Sequence, residues 1–208
     1  MRKLFLDIET IPADESKYEI LKEIHAKRLE KHKNGTGTKP PETFEEYLES
    51  TGLDGAFGRI CCISYAYDDE PVETLSGDEK EILVKFWKVA EKVDLFVGFN
   101  LLDFDLRFIF QRSIILGVKP GRQLSFARYR SDPIYDIMWE WSKWSNTRIS
   151  LDTLAKALGI PSSKGGEIEG RNVARAYRDG RIKEICAYCV KDVEVTRAIY
   201  NRMVFQSF

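Results

Sequence analysis

A chain of 208 residues with 32 lysines and arginines against 33 acids has a formal charge of -1, which excludes a strongly basic nucleic-acid coat. It leaves room for an acidic site whose sign bound metal reverses. With 43% hydrophobic and 31% charged residues, the composition is that of a globular protein able to bury one core, so residues 1–208 are expected to form a single domain. Met1-Arg2-Lys3 opens an apolar stretch, but Asp7 and Glu9 interrupt it too early for a secretion signal. No run reaches the length of a membrane span. A cytoplasmic location and no membrane partner are expected.

Leu4 to Thr10 reads as a buried strand carrying two acids. Successive side chains on a strand alternate faces, so Asp7 and Glu9 point the same way. Two ionised carboxylates that close repel each other, and burial adds to the cost. A hard divalent cation between them would offset both. An isolated Asp-x-Glu carries little weight, since Asp7 could end the strand with Glu9 already in a loop. Other acids must converge on the same point.

Residues 14–55 depart from the pattern of core strands and are read as a charged helical insertion. A helix from about Glu15 to Lys33 carries a thin apolar stripe of Ile20, Leu21, Ile24 and Leu29. The stretch Asn34 to Pro41 breaks it, and a short helix runs to Ser50. The insertion could be a solvated excursion, a lid over substrate or a dimer contact.

Arg59 to Tyr67 is a strong second strand and Val72 to Leu75 a short third. Ser76 with Glu79 offers a capping box for a helix that aligns Ile82, Leu83, Phe86 and Ala90. Asp94 to Phe99 is a fourth strand. Asp103 is placed to cap a helix from Phe104 to Leu116, closed by Gly117. Between Lys119 and Asn146, Arg122, Arg128, Tyr129 and Arg130 precede a short strand near Ile134 to Ile137, followed by Trp139, Trp141 and Trp144. Basic and aromatic residues interleaved in this way can grip a nucleic-acid strand, although tryptophans more often fill a core. Ser150 caps a helix through Leu158, a polar loop follows over Ser162 to Arg171, and short helices around Val173 to Asp179 lead to a long helix from Arg181 to about Met203.

Cys61 and Cys62 are strand neighbours expected to face opposite sides. Cys186-Ala-Tyr-Cys189 has C-x-x-C spacing but sits in a helical pattern without a second pair at ligand spacing, and reads as helix packing.

Three clusters of polar residues make the first strand specific: Asp7-x-Glu9, then Asn100-x-x-x-Phe104-Asp105 at a strand-to-helix join, then Tyr188-x-x-x-Asp192 one turn apart on the last helix. With this ordered set, the sequence resembles the DEDDy branch of the DnaQ-like 3′–5′ exonucleases, and within it the proofreading exonuclease domain of family B DNA polymerases and its stand-alone relatives. The resemblance runs through nearly all the chain outside residues 14–55. The sister branch has a histidine in the place of Tyr188, whereas the histidines here, His25 and His32, lie in the insertion.

The resemblance implies a ribonuclease H-like α/β fold, a five-stranded mixed sheet flanked by helices. It implies Asp7, Glu9, Asp105 and Asp192 as ligands of two divalent ions, Mg²⁺ or Mn²⁺, about 3.5–4 Å apart; Asp7, expected deepest in the central strand, is the choice for the ligand shared between them. It gives Tyr188 the orientation of the attacking water, and Thr10, Asn100 and Phe104 the contacts to substrate. The implied partner is single-stranded nucleic acid, DNA ahead of RNA, with a polymerase or repair protein acting in trans. Two other functions stay open: a strand-binding relative with weak catalysis, and a metal-dependent phosphohydrolase of small nucleotides. Intact acids at all four positions count against the first.

Overall fold

The computed structural model describes residues 1–36 and 38–206; Gly37, in the predicted break, lies outside them. In chain order the elements are β1 (Lys3–Ile11), α1 (Tyr18–Lys33), α2 (Phe44–Ser50), β2 (Arg59–Tyr67), β3 (Glu73–Ser76), α3 (Glu79–Ala90), β4 (Leu95–Gly98), α4 (Asp105–Leu116), β5 (Ile134–Asp136), α5 (Ile137–Ser142), α6 (Leu151–Ala157), α7 (Val173–Arg178) and α8 (Ile182–Met203). The strands form one mixed sheet in the order β3-β2-β1-β4-β5. β1 lies in the middle, antiparallel to β2 and parallel to β4, and β5 is parallel to β4. This is the α/β architecture expected of a ribonuclease H-like chain. Among the described residues no helix is long and apolar enough to cross a membrane.

The alternation of β1 decides what each face of the sheet can do. Leu4, Leu6 and Ile8 share a core with Leu83 and Phe86 of α3 and Leu106 and Phe108 of α4. Phe5, on the opposite face, shares a second core with Val193, Ile199 and Tyr200 of α8, its ring edge-on to Tyr200 at 5.4 Å. Each such side chain contributes about 1.5–3 kcal/mol on burial, so the register of β1 is strongly fixed. A slip of one residue would bring the carboxylates to the α3–α4 core. Asp7 and Glu9 follow Phe5 at two-residue spacing and therefore meet α8.

Several local expectations are corrected. Ser76 does not cap α3, because it is still paired with Cys62 at the end of β3. Asp78 caps the helix by accepting from the Glu81 amide. Glu79 instead takes the Ile60 amide at 2.8 Å and a two-pronged bond from Arg112, both prongs 2.9 Å. A capping box does form at Thr43 and Glu46, at the start of α2. Asp103 does not cap α4 either: the helix starts at Asp105 with Phe104 in the cap position and no side-chain cap. Gly117 closes the helix in the left-handed conformation, φ +64°, as expected.

The strand neighbours Cys61 and Cys62 do not separate to opposite faces. The β1–β2 register shifts between Glu9 and Thr10, leaving Cys61 as the extra residue of a bulge. Both cysteines are buried in one cluster with Cys189, and Cys186 packs against it. All four are free thiols.

After Ile11 the chain leaves the sheet and returns at Arg59. Leu21, buried in α1, packs with Tyr47 of α2, and His25 stacks on Tyr47 at 4.9 Å. Three contacts fasten this excursion beside the end of β1. The Thr10 hydroxyl donates to the Gly52 carbonyl at 2.7 Å, Thr51 Oγ1 accepts from the Ala13 amide at 3.0 Å, and Arg178 of α7 pairs with Glu49 at 2.6 Å.

Candidate active site

In open α/β sheets, ligands bind beyond the carboxyl ends of the strands. Here β1 and β4 run in parallel, and their carboxyl ends bring the acids of three distant segments together. Asp7 and Glu9 project from β1 toward α8, where Asp192 lies buried on the inward stripe with Cys189 and Val193. One oxygen each from Asp7, Glu9 and Asp192 can be chosen so that all lie within 4.8 Å of one another. The Cys189 thiol, one turn before Val193, donates to Asp7 Oδ2 at 3.3 Å. Glu9 and Asp192 are 8% and 6% exposed.

Asp105 reaches the site from α4. It is the first residue of α4, 3% exposed, and its Oδ1 accepts from the Ile8 amide at 3.1 Å. The Ile8 amide stands between Asp7 and Glu9 in the chain, so this bond holds Asp105 next to the other three carboxylates, outside their mutual 4.8 Å group.

The turn from β4 into α4 is tightly determined. A Cβ at Gly98 would lie 2.5 Å from the buried Leu101 side chain, which would have to move to admit it. Asn100 holds a left-handed backbone, φ 61°, and its side-chain oxygen is buried without a partner. Strain and an unsatisfied polar atom in one residue are features that cluster at functional sites. Phe104 packs on Phe108 at 5.5 Å and, with Glu9, Thr10, Gly52 and Leu53, lines a groove of about 370 Å³.

The chain matches, over residues 53–207, the family described as a predicted 3′–5′ exonuclease related to the exonuclease domain of PolB. It belongs to this family. The matched span contains Asn100, Phe104, Asp105, Tyr188 and Asp192 and begins after Asp7, Glu9 and Thr10. The fold of the whole chain is similar to that of the family B DNA polymerase from Pyrobaculum calidifontis, with a TM-score of 0.64 and 16% identity over 98% of this chain. An uncharacterized protein of Methanocaldococcus jannaschii is 35% identical over 69 residues, 32% of this chain. The matched regions amount to 39% of that relative's length and 24% of the polymerase chain.

In this exonuclease-related chain the acids are held against their own charge. Burial, then the neighbouring Cys189 and the other carboxylates, push Asp7 and Glu9 well above the usual carboxylate range. Burial raises Asp105 to about 7, against the opposing effect of the Ile8 amide. Asp192 is raised by burial in spite of the Ser163 and Tyr188 hydroxyls and the Lys164 ammonium, which favour its charged form. Asp192 Oδ1 is nevertheless buried without a hydrogen-bond partner. The Tyr188 phenol is also pushed up, first by burial and then by Asp192 and Glu9.

Sequence reasoning missed four residues that shape this site. Cys189 appeared only as a packing residue, and Ser163 and Lys164 lie in a loop without periodicity that could have aimed them. Asp136 is the fourth. It is buried at the end of β5, accepts the Asn100 and Leu102 amides at 3.0 Å each, and caps α5 through Met138 and Trp139. An Asp before a helical pattern was the available signal for its cap; its grip on the Asn100 turn depends on the β4–β5 pairing. Asp136→Ala leaves buried amides unsatisfied, and a loss of about 3 kcal/mol is expected in urea denaturation. An unchanged unfolding midpoint would show that water replaces the carboxylate at no cost.

Proposed function

We propose that this protein is a metal-dependent 3′–5′ exonuclease that removes nucleotides from the end of single-stranded nucleic acid, DNA ahead of RNA. The observation that carries this reading is the Asp192 oxygen, buried without a partner beside Asp7 and Glu9. A folded chain gains nothing from three crowded like charges, two of them buried and one half-buried, and an orphaned acceptor unless a cation completes them. The donors are all hard carboxylate oxygens, the set that suits Mg²⁺ or Mn²⁺.

Asp7, Glu9 and Asp192 would hold the ions, with Asp105, bonded to the Ile8 amide, beside them. Ions held by these carboxylates would supply Lewis acidity, acidifying a water and drawing charge from the scissile phosphate and leaving oxygen. Tyr188 keeps its proton at neutral pH, so it orients the attacking water instead of deprotonating it. Asn100 offers its unpartnered oxygen to a donor on the terminal nucleotide. Phe104 stacks on the terminal base from the floor of the groove. Thr10, its hydroxyl tied to Gly52, holds the groove wall close to Glu9.

Digestion of 5′-labelled DNA and RNA strands with Mg²⁺ or Mn²⁺ tests this reading. A ladder shortening from the 3′ end with circular strands left intact is expected. Rapid cutting of circles would identify an endonuclease, and turnover of free nucleotides alone a phosphohydrolase. Phe104→Ala is expected to weaken strand binding by about 1–3 kcal/mol, the value of one base–aromatic stack. A purely structural Phe104 would instead lower thermal stability and leave strand affinity unchanged.

A further inference from the structure

A second cluster, outside the carboxylates, occupies the segment that interleaves arginine with aromatics. Trp139 and Trp144 stack at 5.5 Å with their planes 13° apart, and Tyr129 lies against Trp144 at 5.2 Å. The series runs outward: Trp139 is buried, Trp144 half-buried, and Tyr129 76% exposed. Arg128 and Arg148 lie over Trp139 at 5.2 and 5.6 Å from its ring centre. Both guanidiniums share a single carboxylate, Asp103, at 3.0 and 3.7 Å, so the cluster carries surplus positive charge on a chain that is slightly acidic overall.

Packing alone does not account for this construction. Tyr129 and Trp144 hold left-handed backbone, φ 65° and 63°, while Lys143, φ 48°, does so as the residue that closes α5. Non-glycine residues enter this region at a cost, and they persist there where the surroundings impose it, commonly at ligand sites. An exposed tyrosine ring gains little for the core, yet the backbone is strained to present it.

The cluster is joined to the carboxylate site by two acids. Asp103 accepts from Arg128 and from the Trp139 indole, 3.0 and 3.2 Å away, and lies in the turn between Asn100 and Asp105. Asp136 binds the Asn100 and Leu102 amides and caps the helix that carries Trp139. The aromatic series and the substrate turn are therefore positioned by the same groups.

We propose that Tyr129, Trp144, Arg128 and Arg148 form a second binding site for single-stranded nucleic acid, holding nucleotides on the 5′ side of the one being removed. This rests on the exonuclease reading above. Tyr129 stacks a base, and the two guanidiniums meet backbone phosphates. Stacking of this kind tolerates any base, and the phosphate contacts make binding fall with salt.

The test compares p-nitrophenyl thymidine 5′-phosphate, which has no nucleotide on its 5′ side, with a strand of about 20 residues. Tyr129→Ala is expected to leave kcat/KM on this single-nucleotide ester and the melting temperature unchanged. On the long strand it should lower kcat/KM about tenfold, through KM, and Tyr129→Phe should restore it, since the ring alone stacks. Unchanged digestion of both substrates by Tyr129→Ala overturns the second site while leaving the exonuclease reading intact, and so points to a different occupant, such as a protein. Equal losses on both substrates also overturn it, because Tyr129 would then act on the carboxylate site itself. Wild-type protein that digests neither substrate refutes the exonuclease reading and the second site with it.

Discussion

Asp7→Asn is expected to lower metal-dependent cleavage about 10³-fold, the scale on which one member of a pre-organised electrostatic site is lost, while making the metal-free protein more resistant to heat. Asparagine keeps the shape of the side chain and removes a charge that the fold opposes. Burial, Cys189, Asp105, Glu9 and Asp192 all hold the Asp7 carboxyl above its ordinary range. The same cluster makes metal-free stability depend on pH. A carboxyl whose folded pKa exceeds its unfolded value binds its proton more tightly when folded, so its contribution is fully present below the unfolded pKa and is lost as pH rises through the folded one. For Asp105 that window runs from 3.8 to about 7. The metal-free melting temperature should therefore fall from about pH 5 to about pH 8, and Mg²⁺ or Mn²⁺ should restore it at the upper end. Wild-type cleavage by Asp7→Asn, or a metal-free variant less stable than wild type, would refute the charge cluster as a metal site.

What the sequence made legible follows from how local each signal is. Alternation along β1 placed Asp7 and Glu9 on one face, and the four-residue spacing placed Tyr188 and Asp192 on another. Their meeting could not be read from either element, because it requires α8 to pack on Phe5 across the sheet. The helix caps failed where tertiary partners outbid a local one: Ser76 was still bonded in the sheet, and Asp103 was drawn to Arg128 and Trp139. Cys61 was misread because alternation assumes an unbroken ladder, and a bulge breaks it beside Glu9. In the aromatic segment only the fold could put Trp139 inside, Tyr129 outside and Asp103 between them and the Asn100 turn.

Tyr188→Phe separates the hydroxyl of this residue from its ring. The ring packs against the cluster of Cys61, Cys62 and Cys189, and phenylalanine preserves that contact. Stability should fall by no more than the net worth of one hydrogen bond, about 0.5–1.5 kcal/mol. The metal titration midpoint should hold, because Asp7, Glu9, Asp105 and Asp192 all remain. Cleavage in a single turnover should nevertheless drop about 10²-fold, the low end for a polar group positioned on the nucleophile. The pH–rate profile distinguishes orientation from proton removal. Burial, Asp192 and Glu9 keep the phenol protonated across the neutral range, so losing it should scale the profile down without changing its shape. A variant that loses one limb of the profile would show that Tyr188 is a base after all. Equal rates for variant and wild type at saturating metal would remove the hydroxyl from the reaction and leave the four carboxylates as the catalytic set.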